Sequence, residues 1–141
     1  MTMAKRFISA KFTVMGDPIG KQSPRMARNG RAYIPAKSRG YINSVTIAAS
    51  TSLSTPIEGP LFVGISSYKR RPKALCRKKD SPGPIWCPKK PDADNIAKSV
   101  LDGLKPWFDD AQVVSLSVQT YYAEKFGDAR VVVVVERVSD I

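Results

Sequence analysis

Lys89–Val114 reads KKPDADNIAKSVLDGLKPWFDDAQVV, and its periodicity sets the fold class. Residues 94–104 (DNIAKSVLDGL) put Ile96, Val100, Leu101 and Leu104 on one face of a short helix. Gly103 and Pro106 end it. Val113 to Tyr122 (VVSLSVQTYY) then alternates as a strand does. A helix is thus followed directly by a strand. The same stretch holds five of the twelve acidic residues of a 141-residue chain whose net charge is +11. Acid gathered on a basic chain suggests a metal ion placed where a nucleic-acid phosphate would lie.

Outward from that stretch, Ala129 to Val138 (ARVVVVVERV) reads as a second strand. Phe126–Gly127–Asp128 turns between the two, so they are expected to pair as an antiparallel hairpin. Towards the N-terminus, Phe7 to Met15 and Leu61 to Tyr68 read as strands. Residues 36–54 read as a helix with Tyr41, Val45, Ala48 or Ala49, and Leu53 along one stripe, where Tyr41 serves core or edge packing. The order is β-α-β-loop-α-β-β. It predicts an α+β fold: one small domain over 1–141, with a four-stranded mixed sheet packed against two helices and ending in that hairpin.

Two loops interrupt the pattern. Residues 20–40 carry Lys21, Arg25, Arg28, Arg31, Lys37 and Arg39 and no acid, with a short hairpin expected around Asn29–Gly30. Residues 69–91 carry Lys69, Arg70, Arg71, Lys73, Arg77, Lys78, Lys79, Lys89 and Lys90 against Asp80 alone. Five prolines keep that segment out of long helices and central strands. Such loops are either solvated surface or phosphate-tracking arms, and their uncompensated charge favours the second. From them Lys21, Arg25, Arg28, Arg31, Lys69, Arg70, Arg71, Lys89 and Lys90 are the candidate DNA contacts. Trp86 either stacks on a base or pins its loop to the core.

Composition excludes much chemistry. With no histidine, Ser-His-Asp and Cys-His nucleophilic systems are out. Cys76 and Cys87 alone cannot build a four-ligand zinc site and read as free thiols. The N-terminus alternates like a strand and no apolar run is long enough for a membrane span, so the expected address is the cytoplasm. No membrane partner and no organic cofactor are expected. A strongly basic domain expects a polyanion.

Asp92 and Asp94 stand two apart at the helix entry, and Asp109 and Asp110 follow its end. Lys98, four residues after Asp94, shares its helix face. These residue types suit phosphodiester hydrolysis. Mg²⁺ asks for a few hard oxygen ligands, and a lysine can offset charge on the phosphoryl oxygens. The structural alternatives are equally simple. Asp94 could be an N-cap, Asp102 an i,i+4 partner of Lys98, and Asp109–Asp110 a polar turn.

The segment PDADNIAKSVLDGL…WFDDAQVV resembles the signature of RusA-type Holliday junction resolvases. It has the Asp-x-Asp-Asn start, a lysine four residues after the second Asp, a Leu-Asp-x-Leu helix end, and an Asp-Asp-x-Gln-Val turn into a strand. Gly20–Lys21–Gln22 and Pro24–Arg25 are similar to the family's N-terminal region. The resemblance implies a small homodimeric endonuclease that depends on Mg²⁺, with Mn²⁺ as an alternative ion, and resolves four-way DNA by paired symmetric nicks. It implies Asp92, Asp94 and Asp110 as metal-holding carboxylates and Lys98 as the active-site lysine. Asp109 matches an acidic neighbour of undecided role, and Asp102 is left as structural. A non-catalytic nucleic-acid-binding module, or a nuclease acting on flaps or forks, is the alternative.

Overall fold

Three strands bury a row of apolar residues on one face: Ala10, Phe12 and Val14 in the first, Leu61, Val63 and Ile65 in the second, and Val131, Val133 and Val135 in the last. They form the floor of the core in a computed structural model that describes residues 5–139. The elements are β1 (Arg6–Met15), β2 (Arg25–Met26), β3 (Ala32–Tyr33), α1 (Ala36–Ala49), β4 (Leu61–Lys69), β5 (Ile85–Trp86), α2 (Ala93–Gly103), β6 (Val113–Tyr122) and β7 (Arg130–Val138). The α+β class and the order of the main elements match the sequence reading. The sheet has five strands, in the order β1-β7-β4-β6-β5, and β2 and β3 form a separate small ribbon. The extra strand is β5, two residues from the proline-rich loop that pair with Tyr121 and Tyr122.

The expected terminal hairpin is not formed. β6 and β7 are both adjacent to β4, parallel and antiparallel to it respectively, and do not touch as neighbours. The link 123–129 exceeds the two residues of a tight hairpin loop. It steps over the end of β4, where the Ala123 N–H donates to the Lys69 carbonyl at 2.8 Å and the Gly16 N–H to that of Ala129 at 3.0 Å. Burial explains the placement. β4 and β7 each bury alternate residues along most of their length and take the centre, whereas β6 keeps Ser115, Leu116 and Val114 exposed.

The helices cover one face of the sheet. α1 buries Tyr41, Val45 and Ala49. α2 buries Ile96, Ala97 and Val100, and Leu104 follows at its end. Val45, Ile96, Val100 and Leu104 each contribute about 1.5–3 kcal/mol by burial. Of the two roles expected for Tyr41 it takes the core one; its hydroxyl finds no partner among the described residues, and burial pushes its pKa above the usual tyrosine range. The helices meet at Gly103, where a Cβ would lie 2.6 Å from Val45 Cβ. The Thr46 hydroxyl donates to the Gly103 carbonyl at 2.7 Å across the same contact. Any larger residue at 103 would push α2 off α1, and with it the acidic residues at both of its ends. Both cysteines are free. Among the described residues no helix is long and apolar enough to cross a membrane.

Candidate active site

The segment before β2 is clamped to the first turns of α2. The Lys21 N–H donates to the Asn95 carbonyl at 3.0 Å, and the Ser99 hydroxyl donates to the Ile19 carbonyl at 2.9 Å. Gly20 permits this approach, since a Cβ there would stand 2.9 Å from Asn95 Cβ. The Gln22 N–H reaches the Ser38 hydroxyl on α1 at 2.8 Å. The result is an open cleft of about 700 Å³ whose lining includes Arg25, Lys37, Lys90, Asp92 and Asn95. The Lys90–Pro91 peptide bond at its rim is cis.

Asp92 is the N-cap of α2 in position, with extended backbone (φ −70°, ψ 154°), yet its side chain makes no cap hydrogen bond. Aspartate at this position ordinarily bonds the N–H of the second or third helical residue. Here the carboxylate makes no such bond. Asp94 lies in the first turn, where the helix N-terminus favours negative charge. Its side chain is 72% exposed, and its partner is Lys98 at 3.9 Å. The sequence placed Lys98 and Asp94 on one face, and they are.

The far end of α2 is different. Asp102 does not pair with Lys98. Its side chain is 17% exposed and lies 2.6 Å from Lys21 Nζ, so it fastens the basic loop to the helix. Lys105 Nζ lies 3.9 Å from Asp102 and 4.0 Å from Asp110. Asp109 opens a 3₁₀ turn, Asp110–Gln112, as half of a capping box. Gln112 Oε1 accepts from the Asp109 N–H at 2.9 Å, and Gln112 Nε2 donates to the carbonyls of Ile57 (2.8 Å) and Gly59 (3.1 Å). Asp109 is therefore occupied in holding the turn into β6. One chain does not gather Asp92, Asp94 and Asp110: the last lies past the opposite end of a helix about 16 Å long. Among the described residues no three acidic or cysteine side chains cluster closely enough to hold a metal ion.

The nine candidate DNA contacts divide. Arg25, Arg28, Arg31, Lys89 and Lys90 are exposed, with Arg25 and Lys90 on the cleft. Lys21 is tied to Asp102, as above. Lys69 Nζ donates to the Lys90 carbonyl at 2.9 Å, and Arg70 lies 3.4 Å from Asp128. Arg71 does not belong to the surface set. It is buried, and its guanidinium donates to the carbonyls of Ala123 (2.8 Å), Leu75 (3.0 Å) and Gly83. It is the internal brace of the loop. Trp86 is 68% exposed and stacks on Tyr121 at 4.7 Å, outside the core. Tyr121 stacks in turn on Tyr68, and the Arg130 guanidinium covers Tyr68 at 4.2 Å. Lys37 and Asn95 line the cleft although sequence reading did not single them out for the site. Their signal was present only as a helix start and the Asn of the Asp-x-Asp-Asn run.

The family described as Endodeoxyribonuclease RusA matches residues 15–136. The chain belongs to the RusA family. A relative from Bacillus subtilis (strain 168), the uncharacterised protein YqaN, is 36% identical over 140 residues, covering 92% of this chain and 96% of its own. The RusA-type chain is thus an endodeoxyribonuclease of the Holliday junction resolvase class, a class that acts on branched DNA with a divalent metal. The residues fit a hard cation. Asp92 and Asp94 supply carboxylate oxygens free of cap bonds, and Mg²⁺ is held by one or two carboxylates with water and substrate phosphate completing its shell.

Proposed function

We propose that this RusA-type chain resolves four-way DNA junctions as a Mg²⁺-dependent homodimer, nicking two strands symmetrically. The observation that carries the reading is Asp92: a helix-capping position whose carboxylate does not cap, on the rim of a cleft lined by Arg25, Lys37 and Lys90. Asp92 and Asp94 would hold the metal, with Asp110 as the third carboxylate. When bound, the ion supplies an acidified water and offsets charge on the phosphoryl oxygens. Lys98 carries an exposed ammonium beside Asp94 and stabilises negative charge that develops at phosphorus. Arg25, Lys37 and Lys90 grip the backbone and hold the scissile phosphate against the carboxylates. Since Asp110 and the Asp92–Asp94 pair lie at opposite ends of α2 in one chain, they meet across two chains. The homodimer then has a part in the chemistry beyond doubling it.

The test is cleavage of a synthetic four-way junction with each strand end-labelled, beside flap, fork and linear duplex. Paired nicks on the junction in Mg²⁺, lost in Asp92→Asn and in Asp94→Asn while junction binding persists, is the expected result. Undiminished cleavage by both variants would overturn the site, and preferred cleavage of flaps or forks would overturn the substrate.

A further inference from the structure

One rung of the sheet carries an aromatic ladder. Arg130, Tyr68, Tyr121 and Trp86 stand on β7, β4, β6 and β5 in that spatial order, each opposite the next in register. Residues of β4 alternate, and Ser67 beside Tyr68 is buried, so the rung lies on the face that the helices leave open. The rings are nearly parallel, Tyr68 to Tyr121 at 5.3 Å and 19°, Tyr121 to Trp86 at 4.7 Å and 17°. The two ends of the ladder differ. At the β7 end the Arg130 guanidinium covers Tyr68, and Glu124 holds that guanidinium through two hydrogen bonds of 3.1 Å. At the other end β5 is the edge strand, and no ring follows Trp86 among the described residues. Trp86 is nonetheless held in place. Pro84 and Pro88 bracket it. The Cys87 N–H donates to the Thr120 carbonyl at 3.0 Å, and the Thr120 hydroxyl donates to the Cys87 carbonyl at 3.1 Å. A tryptophan fixed by packing on one side and largely exposed on the other is a preorganised surface.

We propose that Trp86 is a stacking platform for an unpaired nucleobase of the DNA strand that lies in the cleft. Ring chemistry and charge together select the occupant. A bare indole face takes another ring or a cation. A cation is disfavoured, because the exposed Lys89 and Lys90 follow within four positions in a chain of net charge +11. An aromatic side chain of a partner protein brings no negative charge to those lysines. A nucleotide brings both a flat ring and a phosphate. The base must be unpaired, since a base inside a duplex already has neighbours on both faces. Asp92 follows Trp86 by six positions, at most about 20 Å of chain. Lys90, on that path, lines the cleft. A strand gripped there has its neighbouring bases within reach of Trp86. The placement beside the scissile phosphate rests on the function proposed above; the platform itself does not.

The test is binding to single-stranded oligothymidylate and to a duplex of the same length, with divalent metal chelated, read by tryptophan fluorescence and mobility shift. Trp107, the second tryptophan, is buried and gives a constant signal. The single strand is expected to quench Trp86 emission, and the duplex to leave it unchanged. Trp86→Ala is expected to weaken single-strand binding roughly 10-fold and duplex binding by less than about 2-fold. Trp86→Phe keeps a ring against Tyr121 and restores most of the lost affinity. The loss is the same at low and high salt, because stacking releases no counterions. A junction carrying one abasic site, moved along the strand, gives an independent reading: the wild type binds more weakly at one position and Trp86→Ala at none. Thermal melting reports whether Trp86→Ala loosens its loop; should it do so, the abasic series on the wild type carries the test. Absence of quenching, equal losses on single strand and duplex, or affinity indifferent to the abasic position overturns the proposal. So does a change in solution mass in folded Trp86→Ala, which would make Trp86 a protein contact. Stacking on Trp86 in a protein that leaves junctions uncut would refute the proposed function and keep the platform. Junction cleavage without stacking would do the reverse.

Discussion

At its first turn α2 presents Asp92 and Asp94, one without a cap bond and the other paired only with an exposed lysine. Past its last turn stand Asp109 and Asp110, and just before them Asp102. Here two carboxylates are engaged, Asp102 with Lys21 and Asp109 in the capping box, whereas Asp110, 4.0 Å from an exposed Lys105, is held as loosely as Asp94. The two ends have the same residue type and almost the same spacing. What separates Asp102 and Asp109 from the other three is that the protein has already supplied each with a close partner. A carboxylate that the fold leaves unsatisfied at an exposed helix N-terminus does nothing for the packing of the helix. One that is bonded on a packed turn stabilises the fold.

The contrast can be broken or sharpened by substitution. The largest effect is expected at the first end. Asp92→Asn and Asp94→Asn should each lower junction cleavage by roughly 10²-fold or more, with melting temperature almost unchanged because neither side chain caps the helix. A melting point that falls with activity would class Asp92 with the structural carboxylates. Chelation of divalent metal should likewise abolish cleavage and leave binding to the junction, measured by mobility shift, intact. Next, Asp92→Asn and Asp110→Asn should each be inactive alone, yet mixing them should restore roughly a quarter of the sites, since a mixed two-fold dimer contains one complete set. No recovery on mixing would place all three carboxylates of a site on one chain. At the far end, Asp102→Asn should cost about 1 kcal/mol by denaturant unfolding, because the 2.6 Å pair with Lys21 is half-buried. Asp109→Ala should cost about 1 kcal/mol or less, the worth of a cap on a short turn, with cleavage retained.

Local features were legible in the sequence because the chain itself encodes them. The apolar face of α2 falls on Ile96, Val100 and Leu104 as its period requires. The Asn29–Gly30 turn appears between β2 and β3, with Gly30 at φ 81°. Partners were less legible. Alternation marks β6 and β7 as strands but does not say that β4 lies between them, because that choice depends on which strands can bury a whole face. Arg71 is indistinguishable in sequence from Arg70 beside it. Only the convergence of three carbonyls from residues 75, 83 and 123 makes one of them internal. Asp102, set aside in sequence as structural, takes its partner from residue 21, far outside any helical spacing.

The position of β7 has a consequence for how the protein comes to exist. It lies between β1 and β4, and Met15 faces Arg130 across the β1–β7 ladder. While the chain is being synthesised, β1 has no sheet neighbour until residues 130–138 appear. The contacts that close the sheet are also among the most distant in sequence, and distant pairings slow folding. At about 5–20 residues per second of synthesis, the basic loops and the acidic helix are made seconds before the strand that joins β1 to the rest of the sheet. Assembly of the nuclease is therefore a late event, timed by its last strand.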